Sequence, residues 1–301
     1  MYEWSENKLN SVKNFLKEYG KVALIIFCIA ISILALYQII FLSTERPLRV
    51  SFLDVGQGDA ILIQTPSGRT MLIDGGASDV ILARLSERLS FFTRDIDVME
   101  ETHPDADHVT GLIPVLEKYK INTMVLPPVK GETKVFSELE KHINEEGSEI
   151  YIAKNGDVIH FNDGVTVHVL YPATNYRVKK NDTNDASVSV VVKYGETSFL
   201  LTGDLPSTEE SQLITEVLPK HITVYKAGHH GSKYSSGEQL LTYIRPEYSV
   251  ISAGKNNKYG HPNTETLERL EKYSKEILST IDRGTITFVT NGKKVEVETD
   301  R

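Results

Sequence analysis

The hydrophobic pattern divides the chain into two unequal parts. From Val22 to Leu42 (VALIIFCIAISILALYQIIFL) there is no charge, and only Ser32, Tyr37 and Gln38 are notably polar. As a helix this run is roughly 31 Å long, enough to cross a hydrocarbon core. It lacks the polar face that a helix on a soluble core would show. Beyond it the apolar runs are short and broken by turn residues. Leu48 to Leu53 and Ala60 to Gln64 read as strands around the Gly/Asp turn Asp54 to Asp59, and Thr70 to Ile73 is a third strand, ended by Asp74-Gly75-Gly76. Helical spacing follows at Val80 to Leu89, then a strand at Ile96 to Met99, a helix at Leu112 to Tyr119 and a strand at Thr123 to Leu126. Further on, helices are predicted at Phe136 to Asn144, Glu209 to Leu218, Glu238 to Tyr243 and Thr264 to Tyr273. Strands are predicted at Val165 to Leu170, Ser187 to Lys193, Phe199 to Leu201, Ile222 to Lys226 and Tyr248 to Ser252. Thr285 to Thr290 and Lys294 to Glu298 close as a hairpin around Asn291-Gly292. Alternating strands and helices of this kind predict a layered α/β domain with its loops gathered at one edge.

Charge gives the apolar run an orientation. Lys8, Lys13, Lys17 and Lys21 precede it, and Arg46 and Arg49 follow, so the positive-inside rule puts the N-terminus in the cytoplasm. The run is too long for a signal peptide and no small-x-small site follows it. The expected organisation is a cytoplasmic segment (1–21), a transmembrane anchor (22–42), a linker (43–48) and an extracytoplasmic domain (49–301) of a single-pass cell-membrane protein. A composition of 40% hydrophobic and 25% charged residues is that of a globular chain, which argues against disorder. Cys28, the sole cysteine, falls inside the apolar run, so a disulfide framework and thiol chemistry are excluded from the outer domain.

The densest chemistry is His103-Pro104-Asp105-Ala106-Asp107-His108. Imidazole and carboxylate are zinc and manganese ligands, and alternate positions on one short loop can aim several of them at one point. A solvated acidic loop with two stray histidines is the bland alternative. The proline, Gly111 and the strand just before the loop weigh against it. Three further groups stand where apolar strands end: Asp204 after Thr202-Gly203, His229-His230 after Gly228, and His261 after Gly260. A lone histidine is more often a hydrogen-bonded core or surface residue than a ligand, but the same placement repeated around one such loop points to a metal centre.

These segments resemble the metallo-β-lactamase fold, and within it the hydrolase domain of the competence protein ComEC. The ComEC branch has Asp at the third position of the H-x-H-x-D-H motif, here Asp105. The other matching segments, in the family's order, are Phe52 to Asp59, Leu72 to Gly76, Asn184 to Ser187, Leu200 to Asp204, His229 to Ser232 and Tyr259 to Pro262. The resemblance covers roughly Arg49 to the C-terminus. ComEC proteins carry many transmembrane helices forming a channel, and this chain has one, so it is similar to the hydrolase part alone on its own anchor. The resemblance implies an αββα sandwich with two divalent metal ions, Zn²⁺ or Mn²⁺, at one edge. His103 and Asp105 would hold one ion, Asp107 and His108 the other; Asp204 would bridge them and His230, rather than His229, would complete the second site. The fold's additional histidine before the bridging aspartate has no counterpart; Asn184 and Asp185 stand there instead, making the first site oxygen-richer. His229 and His261 are implied proton donors or substrate contacts, with a metal-ligand role for either as the alternative, and Asp107 would orient the attacking water or take its proton. Asp54 and Asp74 read as braces of loops and ligand histidines, and Ser232 and Lys233 as loop-shaping or phosphate-contacting residues.

A water shared by two cations ionises near pH 7, which makes hydrolysis the expected reaction. The family link favours a phosphodiester, namely DNA outside the cell, with a DNA-uptake channel protein as partner. Arg177, Lys179, Lys180, Lys226, Lys233, Lys255 and Lys258 lie near the site loops in sequence and are placed to track a backbone. The net charge of -8 and pI of about 5.7 give no global attraction for nucleic acid. Two other readings stand beside the nuclease. One is a phosphodiesterase or phosphocholine esterase on surface polymers, with Tyr171, Tyr176, Tyr234 and Tyr259 available to line a pocket. The other is a tethered, non-catalytic binding domain, which the near-complete ligand set disfavours. A β-lactamase is least favoured, because the ligands match another branch.

Overall fold

The computed structural model describes residues 3–43, 46–177 and 183–301, which fall into two compact units, Met1–Glu45 and Arg46–Arg301. The first unit is one helix, Glu3–Ser43. It runs straight through the lysine-rich stretch before the apolar run, so the helix is longer than the span read from hydropathy. It is long and apolar enough to cross a membrane, and Leu24, Ile25, Ile26 and Phe27 are all exposed on it.

The second unit is two stacked sheets with helices outside them. In chain-neighbour order, the eight-stranded sheet is Val295–Thr299, Ile286–Thr290, Leu48–Phe52, Ile61–Gln64, Thr70–Ile73, Asp95–Glu100, Lys120–Leu126 and Glu149–Ile152. The seven-stranded sheet is Glu276–Ser279, Tyr248–Ile251, Val224–Lys226, Thr197–Leu201, Ser189–Tyr194, Val165–Tyr171 and Val158–His160. Both sheets are covered on two faces, which is why their central strands read as unbroken apolar runs. Side-chain alternation separates the layers. Ile61, Ile63, Met71, Ile73, Phe199 and Leu201 point into the core between the sheets, while Leu62 and Leu72 pack under helices Val80–Arg88, Leu112–Lys118 and Lys134–Glu146. On the other side Leu200 and Val191 pack under Glu238–Ile244 and Thr264–Tyr273. Phe288 joins the two sheets, with edge-on contacts to Phe52 in its own sheet and to Phe199 and Tyr248 in the other. This is the expected αββα sandwich.

Each sheet is antiparallel on one side and parallel on the other. Thr70–Ile73, Asp95–Glu100, Lys120–Leu126 and Glu149–Ile152 run parallel, as do Thr197–Leu201, Val224–Lys226, Tyr248–Ile251 and Glu276–Ser279. Parallel strands send their C-terminal loops to one edge, where ligands bind in open α/β sheets. Every motif singled out at a strand end therefore arrives at the same edge.

Three strands were not apparent from periodicity: Glu149–Ile152, Val158–His160 and Glu276–Ser279. Each is an edge strand of three or four residues, too short to establish an alternation. The predicted helix Glu209 to Leu218 is also absent; only a 3-10 turn, Glu210–Leu213, forms there. Tertiary bonding overrides propensity. The buried Glu210 carboxyl accepts from Ser236 N at 2.6 Å and Gly237 N at 2.7 Å, which pins the segment to the loop after the paired histidines.

That pin is pH-sensitive. Burial raises the Glu210 carboxyl to about 7, against the pull of Gly237 N, Ser236 N and Arg269. The folded state thus holds the proton more tightly than the unfolded chain. Its stabilising contribution is complete below about pH 4.5 and is lost as pH rises through 7, a difference of about 3 kcal/mol. In urea unfolding of the detergent-solubilised chain, Glu210→Gln is expected to flatten the stability loss between pH 5 and pH 8. An unchanged slope would remove Glu210 as its source.

Candidate metal centre

The histidine-aspartate loop leaves strand Asp95–Glu100 and turns at once into a short helix, Ala106–Val109. His103 and Asp105 therefore sit on extended chain, while Asp107 and His108 sit in the helix's first turns. Glycines let the surrounding backbone close in. A Cβ on Gly58 (φ +107°) would lie 1.9 Å from the Asp107 carbonyl oxygen, and one on Gly111 would lie 1.9 Å from that of Gly75. Across the edge, Asp204 follows strand Thr197–Leu201, with its N–H donating to Ser187 Oγ at 3.2 Å. His229 and His230 follow strand Val224–Lys226 with φ of 47° and 54°, a left-handed pair that non-glycine residues adopt only under constraint. The constraint is visible: His229 N donates to Gly203 O at 3.1 Å, and Ser232 N to His229 O at 2.8 Å. Glu210 from one side, and Arg269 donating to the carbonyls of Lys233, Ser235 and Ser236 from the other, hold the loop beyond.

The side chains meet at Asp204. Its Oδ2 lies 3.4 Å from Nε2 of His108, His229 and His230, and 3.9 Å from Nε2 of His103. His230 Nε2 is also 3.4 Å from Asp107 Oδ2, and His103 Nε2 is 3.9 Å from Asp105 Oδ2. Asp59, His108, Asp204 and His230 each present a ligand atom within 4.8 Å of the others.

The opposite nitrogen of each buried imidazole is already engaged. His108 Nδ1 donates to Asp74 Oδ2 at 2.7 Å. His103 Nδ1 donates to Thr102 Oγ1 at 3.0 Å, because the Thr102 hydroxyl itself donates to Asp74 Oδ2 at 2.7 Å. His230 Nδ1 has Ser252 O at 3.0 Å and Asp59 Oδ1 at 3.2 Å. This selects the Nδ1–H form of all three rings and leaves Nε2 as a lone-pair donor. Nε2 of His103, His108 and His230, together with Asp204 Oδ1, is buried with no hydrogen-bond partner. Buried polar atoms are rarely left this way unless a ligand takes them. The donor set fits divalent cations.

Comparison with known proteins agrees. Residues 53–172 match the metallo-beta-lactamase superfamily. "ComE operon protein 3" of Bacillus subtilis is 30% identical over 280 residues, covering 87% of this chain and 35% of that protein. "Recombination protein 2" of Haemophilus influenzae is 30% identical over 272 residues, covering 87% and 32%. The chain thus spans about a third of the length of these relatives. Among solved structures, CmlA, a diiron beta-hydroxylase from Streptomyces venezuelae, superimposes with a TM-score of 0.52 at 12% identity, covering 82% of this chain and 55% of that one, a likeness of fold.

Residues 53–172 form a metallo-beta-lactamase domain.

This metallo-beta-lactamase domain brings most of the sequence-predicted residues to one place: His103, Asp105, Asp107, His108, Asp204, His229 and His230, with the His261 ring 5.4 Å from that of His229. Asp74 stands behind them as a histidine brace. Asp54 does not reach a histidine; it accepts from Gly56 N and pairs with Arg301, so it braces only its own loop and the C-terminus. Asn184 and Asp185 lie on a 3-10 turn, and the neighbouring Thr183, which the sequence did not single out, donates to Asp105 Oδ1 at 2.5 Å. Ser232 is buried, its carbonyl accepting from Thr266, while Lys233 is exposed. Tyr171 is core, its hydroxyl donating to Asp185 O, and so does not line a site. Lys179 and Lys180 lie outside the described residues.

Lys226 is not a backbone-tracking lysine. It is fully buried, 2.9 Å from Asp59 Oδ2, and donates to Ala227 O at 2.8 Å. Burial would raise the Asp59 carboxyl, but Lys226 and His230 outweigh it and hold it at about 2. The same contest decides the centre. Burial opposes charge on His108 and His230, yet the carboxylates of Asp204 with Asp74, and of Asp204 with Asp59, raise both well above the usual imidazole range, so a cation taking their Nε2 atoms would displace a proton from each ring. His103 is lowered by burial and by His108. Asp204, against its own burial, is held far below the usual carboxylate range by His230 and His108.

Removing one member of a buried ion pair leaves an uncompensated charge, at a cost of about 3–5 kcal/mol. Lys226→Met is therefore expected to destabilise the domain by about that much in urea unfolding. Adding Asp59→Asn should return a substantial part of it; a double variant as unstable as the single one would contradict the pairing.

Proposed function

We propose that this chain is a membrane-anchored phosphodiesterase that uses two divalent cations to cleave DNA outside the cytoplasmic membrane. The observation that carries this reading is the convergence of three bare Nε2 atoms on Asp204. Around Asp204, His103 and Asp105 would hold one cation and Asp107, His108 and His230 the other, with Asp204 serving both. The first group is the oxygen-richer, which suits Mn²⁺ as well as Zn²⁺. Bound cations supply Lewis acidity, which brings the ionisation of water near pH 7 and offsets charge on a phosphoryl oxygen.

The chain's own groups do the rest. Asp107 is partly exposed and has Gln57 Nε2 at 3.4 Å, a weak bond that leaves its carboxylate free to orient water or take its proton. His229, with 29% of its side chain exposed, faces solvent from Asp204 and is placed to protonate the leaving oxygen. His261, ring to ring with His229, contacts the substrate. Asp74, Thr102 and Asp59 keep the imidazoles in the tautomer this requires.

DNA as substrate rests on the relatives, whose names speak of competence and recombination, "Competence protein ComA" of Neisseria gonorrhoeae among them. A DNA-uptake channel protein is the partner this reading calls for. Since the chain as a whole is acidic, attraction for the backbone has to be local, and Arg177, Lys233, Lys255 and Lys258 are the exposed cations of the site loops. The helix Glu3–Ser43 provides the anchor, with the lysines before the apolar run holding the N-terminus inside.

The test is cleavage of labelled single- and double-stranded DNA by the detergent-solubilised chain with Mn²⁺, Zn²⁺ or a chelator. Cleavage is expected only with metal, and Asp107→Ala should lower it by about 10²-fold or more. A metal-loaded protein that leaves both DNAs intact contradicts the nuclease reading.

A further inference from the structure

Exposed aromatic faces grouped beside a site are informative where isolated ones are not. Two of the aromatics exposed on this domain, Tyr234 and Tyr259, belong to the loops that carry His230 and His261; 68% and 52% of their surface is exposed. Tyr259 stacks on His261, with ring centroids 5.8 Å apart and an interplanar angle of 24°. His261 in turn lies 6.4 Å from His230 at 34°. A stacked pair, Tyr259 and His261, and a third ring tilted by 34°, His230, thus lead from the buried centre to solvent.

The ladder is built, not incidental. Asn257 accepts from the backbone N–H of Tyr259 and of His261, at 3.1 and 3.0 Å, and donates to the carbonyls of Gly254 and His261 at 2.9 and 2.6 Å. Asn263 ties this loop to the one carrying Tyr234. It donates to Gly260 O at 3.1 Å, accepts from Lys233 N at 2.8 Å, and its own N–H donates to Gly231 O at 2.9 Å. Each tyrosine also has its own lysine: Lys258 lies 5.0 Å over the Tyr259 ring and Lys233 5.2 Å over that of Tyr234.

We propose that Tyr259 is the stacking platform for an unpaired nucleobase next to the scissile phosphate, with Tyr234 a second platform and Lys258 and Lys233 meeting the adjoining phosphates. This rests on the phosphodiesterase reading and names its substrate form, single-stranded nucleic acid. Flat aromatic faces beside flexible cations are the chemistry of single-strand binding, since every base has a π-face and every linkage a charge. An unpaired base can slide over Tyr259 as Lys258 swings to the phosphate; a base held in a duplex offers no free face.

Dithymidine monophosphate has a single phosphodiester, so the cleaved bond is known. The experiment compares it with its two singly abasic analogues, using the full chain in detergent with Mn²⁺. For the native protein, loss of one of the two bases is expected to raise KM about tenfold. In Tyr259→Leu that penalty should shrink below about twofold, and in Tyr259→Phe it should persist. A native protein indifferent to both abasic analogues, or a Tyr259→Leu variant with the full penalty, overturns the platform while leaving the phosphodiesterase standing. Failure to cleave dithymidine monophosphate at all, with hydrolysis of p-nitrophenyl phosphorylcholine instead, overturns the nucleic-acid reading and the platform with it.

Discussion

Asp204 is 3% exposed, and its outer oxygen faces four imidazole nitrogens at 3.4 to 3.9 Å. Sinking so many polar groups under a sheet edge costs several kcal/mol per ion unless each is paired. The pairing goes outward in layers. Asp74 serves His108 directly and His103 through Thr102, while Asp59 serves His230 and is itself neutralised by Lys226. At the centre, the atoms left without a hydrogen-bond partner include the inward-facing Nε2 of His103, His108 and His230 and Asp204 Oδ1, the donors that would hold cations. Glu100 and Glu101 are also buried with unpartnered oxygens, and there burial raises both carboxyls above the usual range.

Backbone geometry serves the same end. The two sheets deliver their parallel strands to one edge, and the chain leaves each strand under constraint: Asp74 at φ 57°, then the left-handed pair His229-His230. Residues in such conformations persist because their surroundings over-determine them. Here Glu210 and Arg269, from opposite sides, clamp the loop beyond the pair, and that loop carries Tyr234. Tight packing beneath and open rings above give a rigid centre with an accessible rim, since Asp105, Asp107 and His229 are the members that reach solvent.

Much of this was legible in the sequence because strand ends are legible. An apolar run stopped by glycine and followed by Asp or His places a functional group at an edge, and that pattern located Asp204, the 229–230 pair and His261. What escaped notice depends on pairing in space. Lys226 looks like any other site-loop lysine, yet its neighbour across the sheets is Asp59, 167 positions away in the chain (226 − 59). Thr183 and Gln57, ordinary polar residues in loops, touch Asp105 and Asp107. The edge strands Glu149–Ile152 and Val158–His160 escaped because three or four residues carry too little periodicity, and the helix expected after Asp204 was lost to the pull of Ser236 and Gly237 on Glu210.

Catalysis at this edge requires two cations that share Asp204. That sharing is tested most directly by counting metal in the full-length protein, dialysed against Mn²⁺ or Zn²⁺ and freed of unbound ion, by mass spectrometry of the elements. Two ions per chain, falling to one or fewer in Asp204→Ala, is the predicted result. A native protein that retains no metal, or an Asp204→Ala variant that retains the full native content, would contradict it.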